Sequence, residues 1–404
     1  MPDQTTSPRA AAIASGFDAV AVSRLCSVID AHVADGRIPG ATLLMTRHGE
    51  TVERAFGCQS PDAPTPMSID SIFRIYSMTK PVVSVAIMRM VEEGRFLISD
   101  AVAKHLPEFA DVQVGVETRG ADGTPHLQLE PCRMPMTIQD LLRHTAGLTY
   151  GIFGESTLVK TAYRESGVES SRADNQEMIA RLAKLPLALQ PGTCWEYSRA
   201  TDVLGALLER VSGETLDVHL QKTVFDPLGM VDTGFWIPEA RQHRAAQAFA
   251  VDPVTGASVR LLDVTRRPVF LSGGGGLVST ARDYLRFARM LHGGGVLDGT
   301  RLLSRKTIAF MTSDHLAGMA GATSGPMYLP GPGYGFGLGF AVRTEQGGPL
   351  TAGSVGDYNW SGLAGTYFWI DPAEDLIAIW LMQAPEQRDT YRQLLRTLVT
   401  ASLA

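Results

Sequence analysis

Ser77-Met78-Thr79-Lys80 pairs a hydroxyl with an amine three residues apart. On a helix, residues i and i+3 share a face. A serine there can pass its proton to the lysine, provided the lysine is neutral. Burial among Ile75, Met78 and Val82 would lower the lysine pKa and favour that form. A helix start also leaves backbone N–H groups free, so the Ser77 amide can face a developing oxyanion. The spacing alone is one that chance supplies, and it equally fits a capped helix with a solvated lysine. The apolar helix that it opens argues for the chemical reading.

Two further stretches carry groups of use to acyl chemistry. In Pro191-Gly192-Thr193-Cys194-Trp195-Glu196-Tyr197-Ser198-Arg199, a Pro-Gly turn feeds an aromatic segment and then a helix. A phenol fixed at that junction near a cationic lysine can shuttle protons, although a packed tyrosine with a satisfied hydroxyl fits as well. Asn359-Trp360-Ser361-Gly362-Leu363 reads as a turn of small residues ahead of an edge strand. An N–H there is suited to be a second oxyanion donor.

These segments need a frame. Phe17, Val20, Leu25, Val28, Ile29 and Val33 recur at helical spacing, followed by strands at 41–46 and 51–56. Pro81 to Glu93 reads as an apolar helix. Residues 95–240 read as mostly helical with polar loops, with helices near 137–143, 174–184, 199–212 and 215–222. A helix over 281–292 opens on the capping pair Thr280 and Asp283. Tyr334, Phe336, Leu338 and Phe340 alternate with glycines, as in one strand whose bare face admits a close neighbour. Strands follow at 364–370 and 376–383, then an amphipathic helix carrying Tyr391, Leu394, Leu395, Leu398 and Val399. The economical fold is α/β (α+β): one antiparallel sheet built from both chain ends, flanked by helices, with a helical domain inserted. The expected units are 16–75 plus 245–404 for the sheet and 76–244 for the helices, with the active site at their interface. Residues 1–15 read as disordered.

Bulk properties narrow the function. The chain has 404 residues and a net charge of −6. With no long basic stretch, it is a poor candidate for nucleic-acid or membrane-surface binding. Cys26, Cys58, Cys132 and Cys194 are scattered without paired spacing, which suits a reducing compartment. The apolar run after Arg9 is too short for a signal-peptide core, so a cytoplasmic location is expected. There is no H-E-x-x-H and the nine histidines are dispersed, so no metal is expected. No G-x-S-x-G occurs and no histidine follows His315, which leaves an α/β-hydrolase triad hard to place. His144 reads as a loop-holding residue, and Gly273–Gly276 as close backbone packing rather than a phosphate cradle.

The order S-x-x-K, Tyr-Ser-x some 120 residues later, then Trp-Ser-Gly before a C-terminal strand resembles the serine β-lactamase/penicillin-binding-protein superfamily. Within it the chain is similar to the class C β-lactamase-like esterases, the family VIII carboxylesterases. Supporting stretches are Leu141–Leu148, Asp226–Met230, Gly273–Ala281 and Phe368–Pro372, so the resemblance spans about residues 17–402. It implies the β-lactamase/transpeptidase-like fold, Ser77 as nucleophile, Lys80 as its proton-accepting partner and Tyr197 as proton shuttle. It further implies an oxyanion hole from the Ser77 and Leu363 amides, no cofactor and a small-molecule ester as substrate. Trp360, Ser361, Gly362, Tyr150 and Trp195 are expected to bind substrate, and with Tyr334 their rings suggest an apolar pocket.

Two departures from the β-lactamase pattern matter. Tyr197-Ser198-Arg199 lacks the asparagine of Tyr-x-Asn, and Trp360-Ser361-Gly362 replaces Lys-Thr-Gly. The second removes a cation, which suits a neutral ester better than an anionic drug and leaves Lys80 a larger share of the base role. The expectation is a carboxylesterase for short-to-medium-chain esters. The alternatives are an acyltransferase using the same acyl-enzyme, a weak β-lactamase or D-alanyl peptidase, and a non-catalytic binder, which would not need all three residues. Oligomeric state is not legible.

Overall fold

The computed structural model describes residues 16–168, 170 and 172–404; the segment expected to be disordered, 1–15, lies outside them. After helix α1 (Ala19–Ala34) come β1 (Gly40–Arg47), β2 (Glu50–Ser60) and β3 (Ala63–Pro66). The C-terminal part supplies β4 (Tyr334–Phe336), β5 (Ala341–Arg343), β6 (Tyr358–Ser361), β7 (Tyr367–Asp371) and β8 (Leu376–Met382). They form one eight-stranded antiparallel sheet in the order β4-β5-β6-β7-β8-β1-β2-β3. The two chain ends join where β1 pairs with β8, with Leu43 opposite Trp380 and Leu44 opposite Ile379.

Both of these central strands are buried on each face, and their side chains sort with period two. Leu43, Met45, Ala378 and Trp380 pack with α1 and the terminal helix α5 (Arg388–Thr400). Leu44, Ile377, Ile379 and Leu381 face the larger core, which includes α2 (Thr79–Glu92), α3 (Ala200–Ser212) and α4 (Ala281–His292). Thr280 caps α4 as expected, its side chain accepting from the Asp283 amide.

Three local expectations are corrected. First, residues 95–240 include a β-hairpin, Gln113–Arg119 with Pro125–Pro131. Val114 and Val116 alternate on one strand and Leu127 and Leu129 on the other, around the Asp122-Gly123 turn, but the runs are short and most of the residues are exposed. Second, the strand expected over 334–340 is broken. Gly337 N–H donates to the Phe340 carbonyl and Gly339 takes φ +99°, which turns the chain between β4 and β5. The bare positions still admit close neighbours: a Cβ at Gly337 would overlap the Met311 carbonyl, and one at Gly339 would crowd Ser84 of α2. Third, Asn359-Trp360-Ser361 belongs to β6, with Trp360 opposite Phe368, and the turn comes after it at 362–366. Among the described residues no helix is long and apolar enough to cross a membrane.

Candidate active site

Ser77 lies in a single 3-10 turn, Tyr76–Met78, immediately before α2, rather than within the helix itself. Tyr76 adopts φ +44°, a left-handed conformation costly for a bulky residue. It is held by partners from several elements. The Tyr76 hydroxyl accepts from the Leu262 amide at 3.0 Å. Ile75 N–H donates to the Leu277 carbonyl at 3.0 Å, and Thr366 Oγ1 donates to the Ile75 carbonyl at 3.1 Å. Tyr284 of α4 donates to the Met78 carbonyl at 3.0 Å. Strain at this turn is therefore held in place by the surrounding structure.

Ser77 Oγ accepts from the Tyr197 hydroxyl at 2.6 Å and from Lys80 Nζ at 3.3 Å. The Lys80 ammonium also donates to Tyr150 at 3.2 Å and to the Gly274 carbonyl at 2.6 Å. That occupies all three of its N–H donors. Burial works to lower the Lys80 pKa, but Tyr150, Tyr197 and Asp202 together outweigh it, and the amine stands above its ordinary value. The expectation of a neutral lysine is thus corrected: acceptors and an anion around the amine decide its charge, not burial alone.

Asp202 was not singled out by the sequence. It is buried on α3, five residues after Tyr197, and accepts from Ser272 Oγ at 2.6 Å and the Gly274 amide at 2.9 Å. By holding that amide it positions Gly274, whose carbonyl, on the following peptide, meets Lys80. The glycine run follows from this approach: a Cβ at Gly273 would press on the Thr201 carbonyl and one at Gly274 on Asp202 and Tyr150.

Tyr197 sits among rings, stacked on Trp195 at 5.9 Å and 8° and tilted against Trp360 at 5.7 Å. Its neighbours in the chain are also fixed. Glu196 pairs with Lys160 at 3.3 Å and accepts from Thr149 at 2.7 Å, and Ser198 Oγ lies 3.2 Å from His144 Nδ1. The His144 carbonyl accepts from the Glu196 amide at 2.9 Å. Burial, with the Lys80 charge in support, pushes the His144 pKa well below its ordinary value, so the ring is neutral. It holds the loop, as the sequence suggested.

A cavity of about 540 Å³ opens over Ser77 and Tyr197. Trp360, Ser361, Gly362 and Leu363 line it, as does Tyr334. Trp195 and Tyr150, expected there, lie behind the wall: Trp195 is wholly buried under Tyr197, and the Tyr150 hydroxyl faces Lys80. Both pack against Tyr197 and Lys80 rather than lining the cavity. The turn after β6 is closed by Gly362 N–H to the Thr366 carbonyl at 2.7 Å and Gly365 N–H to the Gly362 carbonyl at 3.0 Å. Among the described residues no backbone carbonyl engages the Ser77 or Leu363 amide. The cavity wall also carries three arginines of α5, which the motifs gave no reason to expect.

A serine–lysine–tyrosine cluster beside the end of β6, an inner strand of a large antiparallel sheet, brings together the three residues the motifs singled out. The Beta-lactamase family model matches residues 25–401, and the chain belongs to that family. It is 36% identical over 357 residues to protein Rv1367c of Mycobacterium tuberculosis, covering 86% of each chain. It is 32% identical to esterase EstB of Burkholderia gladioli, covering 91% of this chain and 92% of that one. Among solved structures, EstCE1, described as a hydrolase with promiscuous acyltransferase activity, superposes with a TM-score of 0.77 at 27% identity. That match covers 94% of this chain and 98% of that one. Simvastatin synthase LovD of Aspergillus terreus shares the fold at the same TM-score and 22% identity, over 95% and 99% of the two chains. The resemblance to family VIII esterases read from the motifs is met by these matches.

Proposed function

We propose that the chain is a serine carboxylesterase that cleaves short-to-medium-chain carboxylic esters through an acyl-enzyme on Ser77. The observation that carries this is the 2.6 Å contact between the Tyr197 hydroxyl and Ser77 Oγ, beside a charged Lys80, on the wall of a cavity. The similarity to EstB and EstCE1 supports it.

Geometry divides the work: the Tyr197 oxygen lies 2.6 Å from Ser77 Oγ, while the Lys80 donors are taken up by Ser77, Tyr150 and the Gly274 carbonyl. Tyr197 is the base and Lys80 the charge that compensates it. For attack the contact must run the other way: the reacting form has given the Tyr197 proton to solvent, and Ser77 Oγ donates to the Tyr197 oxygen. Ser77 Oγ attacks the ester carbonyl carbon and its proton passes to the Tyr197 oxygen. The carbonyl oxygen becomes an oxyanion facing the Ser77 and Leu363 amides. Collapse of this intermediate breaks the C–O bond, and Tyr197 returns the proton to the departing alkoxide. Water then repeats the sequence on the acyl-enzyme, its proton going to Tyr197 and then to Ser77 Oγ, releasing the acid.

Ser77→Ala should reduce hydrolysis of p-nitrophenyl acetate and butyrate to background while the circular dichroism spectrum and melting temperature stay native. Retained turnover in that folded variant would end the proposal. Acyl transfer uses the same intermediate with an alcohol in place of water. Adding methanol to the wild-type assay and measuring methyl ester separates the two outcomes.

A further inference from the structure

The motif reading expected no cation for an anionic substrate, because Trp360 stands where a lysine would. The cavity itself is cationic. Arg388, Arg392 and Arg396 line it from α5, and among the described residues Asp389 is the one carboxylate on its lining. Arg396 and, behind it, Arg343 share one buried carboxylate, Asp357, at 2.8–2.9 Å. Two guanidinium groups and one carboxylate leave that cluster with an excess positive charge. All this lies in a chain whose net charge is −6.

Arg392 is the least satisfied of the three. Nη1 reaches Asp389 at 3.2 Å, but that carboxylate is largely solvent-exposed. Nε is buried without a hydrogen-bond acceptor. Lost hydration pulls the Arg392 pKa below its ordinary value, against the opposing pull of Asp389 and Tyr367. A guanidinium offers a planar fork that suits a carboxylate.

We infer that Arg392, backed by Arg388 and Arg396, forms a subsite for a carboxylate on the substrate, and that the preferred esters are acidic at the end remote from the scissile bond. This rests on the ester-hydrolase reading. The reaction is unchanged: the remote carboxylate stays intact while the ester bond is exchanged for water.

The test uses the full chain and two chromogenic esters of equal reach, mono-4-nitrophenyl adipate and its methyl-capped neutral counterpart, at pH 7.5 and low salt. The expected result is a kcat/KM ratio of about tenfold or more in favour of the acidic ester, as for a charge-assisted hydrogen bond. That ratio should fall by about fivefold or more in Arg392→Gln and in 0.5 M salt. A wild-type ratio at or below one overturns the inference, and so does an undiminished ratio in folded Arg392→Gln. If that variant does not fold, the wild-type ratio and its salt dependence decide. Turnover of the neutral ester without preference overturns the subsite alone, whereas turnover of neither ester overturns the hydrolase reading with it.

Discussion

Lys80 meets three acceptors from three parts of the chain, with Asp202 charging the same pocket from α3. Its raised pKa means that the ammonium persists as pH climbs past the ordinary value of 10.5. Activity that depends on this charge is therefore complete at lower pH and is lost only above 10.5. For a neutral ester, kcat/KM should show no decline between pH 8 and pH 10; a fall centred near pH 9 that vanishes in Lys80→Met would contradict the assignment. Ser77, Lys80 and Tyr197 were legible through company: each motif alone is one that chance supplies, and their order along the chain carries the resemblance that assigns them roles. Asp202 and Arg392 were not: an aspartate inside one helix and an arginine in another become informative only when folding brings them to Gly274 and to the cavity. The charge of Lys80 was misread because local apolar neighbours were visible in the sequence and distant acceptors were not.

The elements act as clamps on the strained turn. The segment 362–366 touches Ile75 through Thr366 Oγ1, so the strand pair β6–β7 is tied to the Ser77 turn. A Cβ at Gly362 would overlap both Thr366 Oγ1 and the Ile75 carbonyl. Gly362→Ala should cost about 1–3 kcal/mol in urea unfolding and lower kcat at least about tenfold. Native stability with full activity would show that the close approach is dispensable. At this scale the long amphipathic helices and the buried strands were readable, since one-sided burial imposes its period on sequence. The hairpin 113–131 carries its signal in the alternation of Val114/Val116 and Leu127/Leu129 around Asp122-Gly123, but each run is short and set in a polar stretch; the break at Gly337–Gly339 was hidden, because a left-handed glycine mimics strand alternation.

Across the whole molecule, the sheet closes by pairing the two chain ends, and α5 is tied to it through charge as well as packing. Asp357 holds Arg343 of β5 and Arg396 of α5, all three buried. Removing one member of a buried ionic cluster typically costs about 3–5 kcal/mol, because the remaining charges are uncompensated. Asp357→Asn should lose that much in urea unfolding at pH 7; a loss below about 1 kcal/mol would mean that water or another group compensates the arginines. The split sheet was inferable from strands at both termini flanking a helical middle. The partner choice of Asp357 was not, since it joins residues 14 and 39 positions away.

The central claim is that Ser77 carries the acyl group. The direct measurement is reaction of the intact protein with a fluorophosphonate probe, followed by proteolysis and mass spectrometry of the labelled peptide. The account predicts one adduct per chain, on Ser77, with loss of esterase activity in proportion to labelling. An adduct on another serine, or full inactivation with Ser77 unmodified, would contradict it.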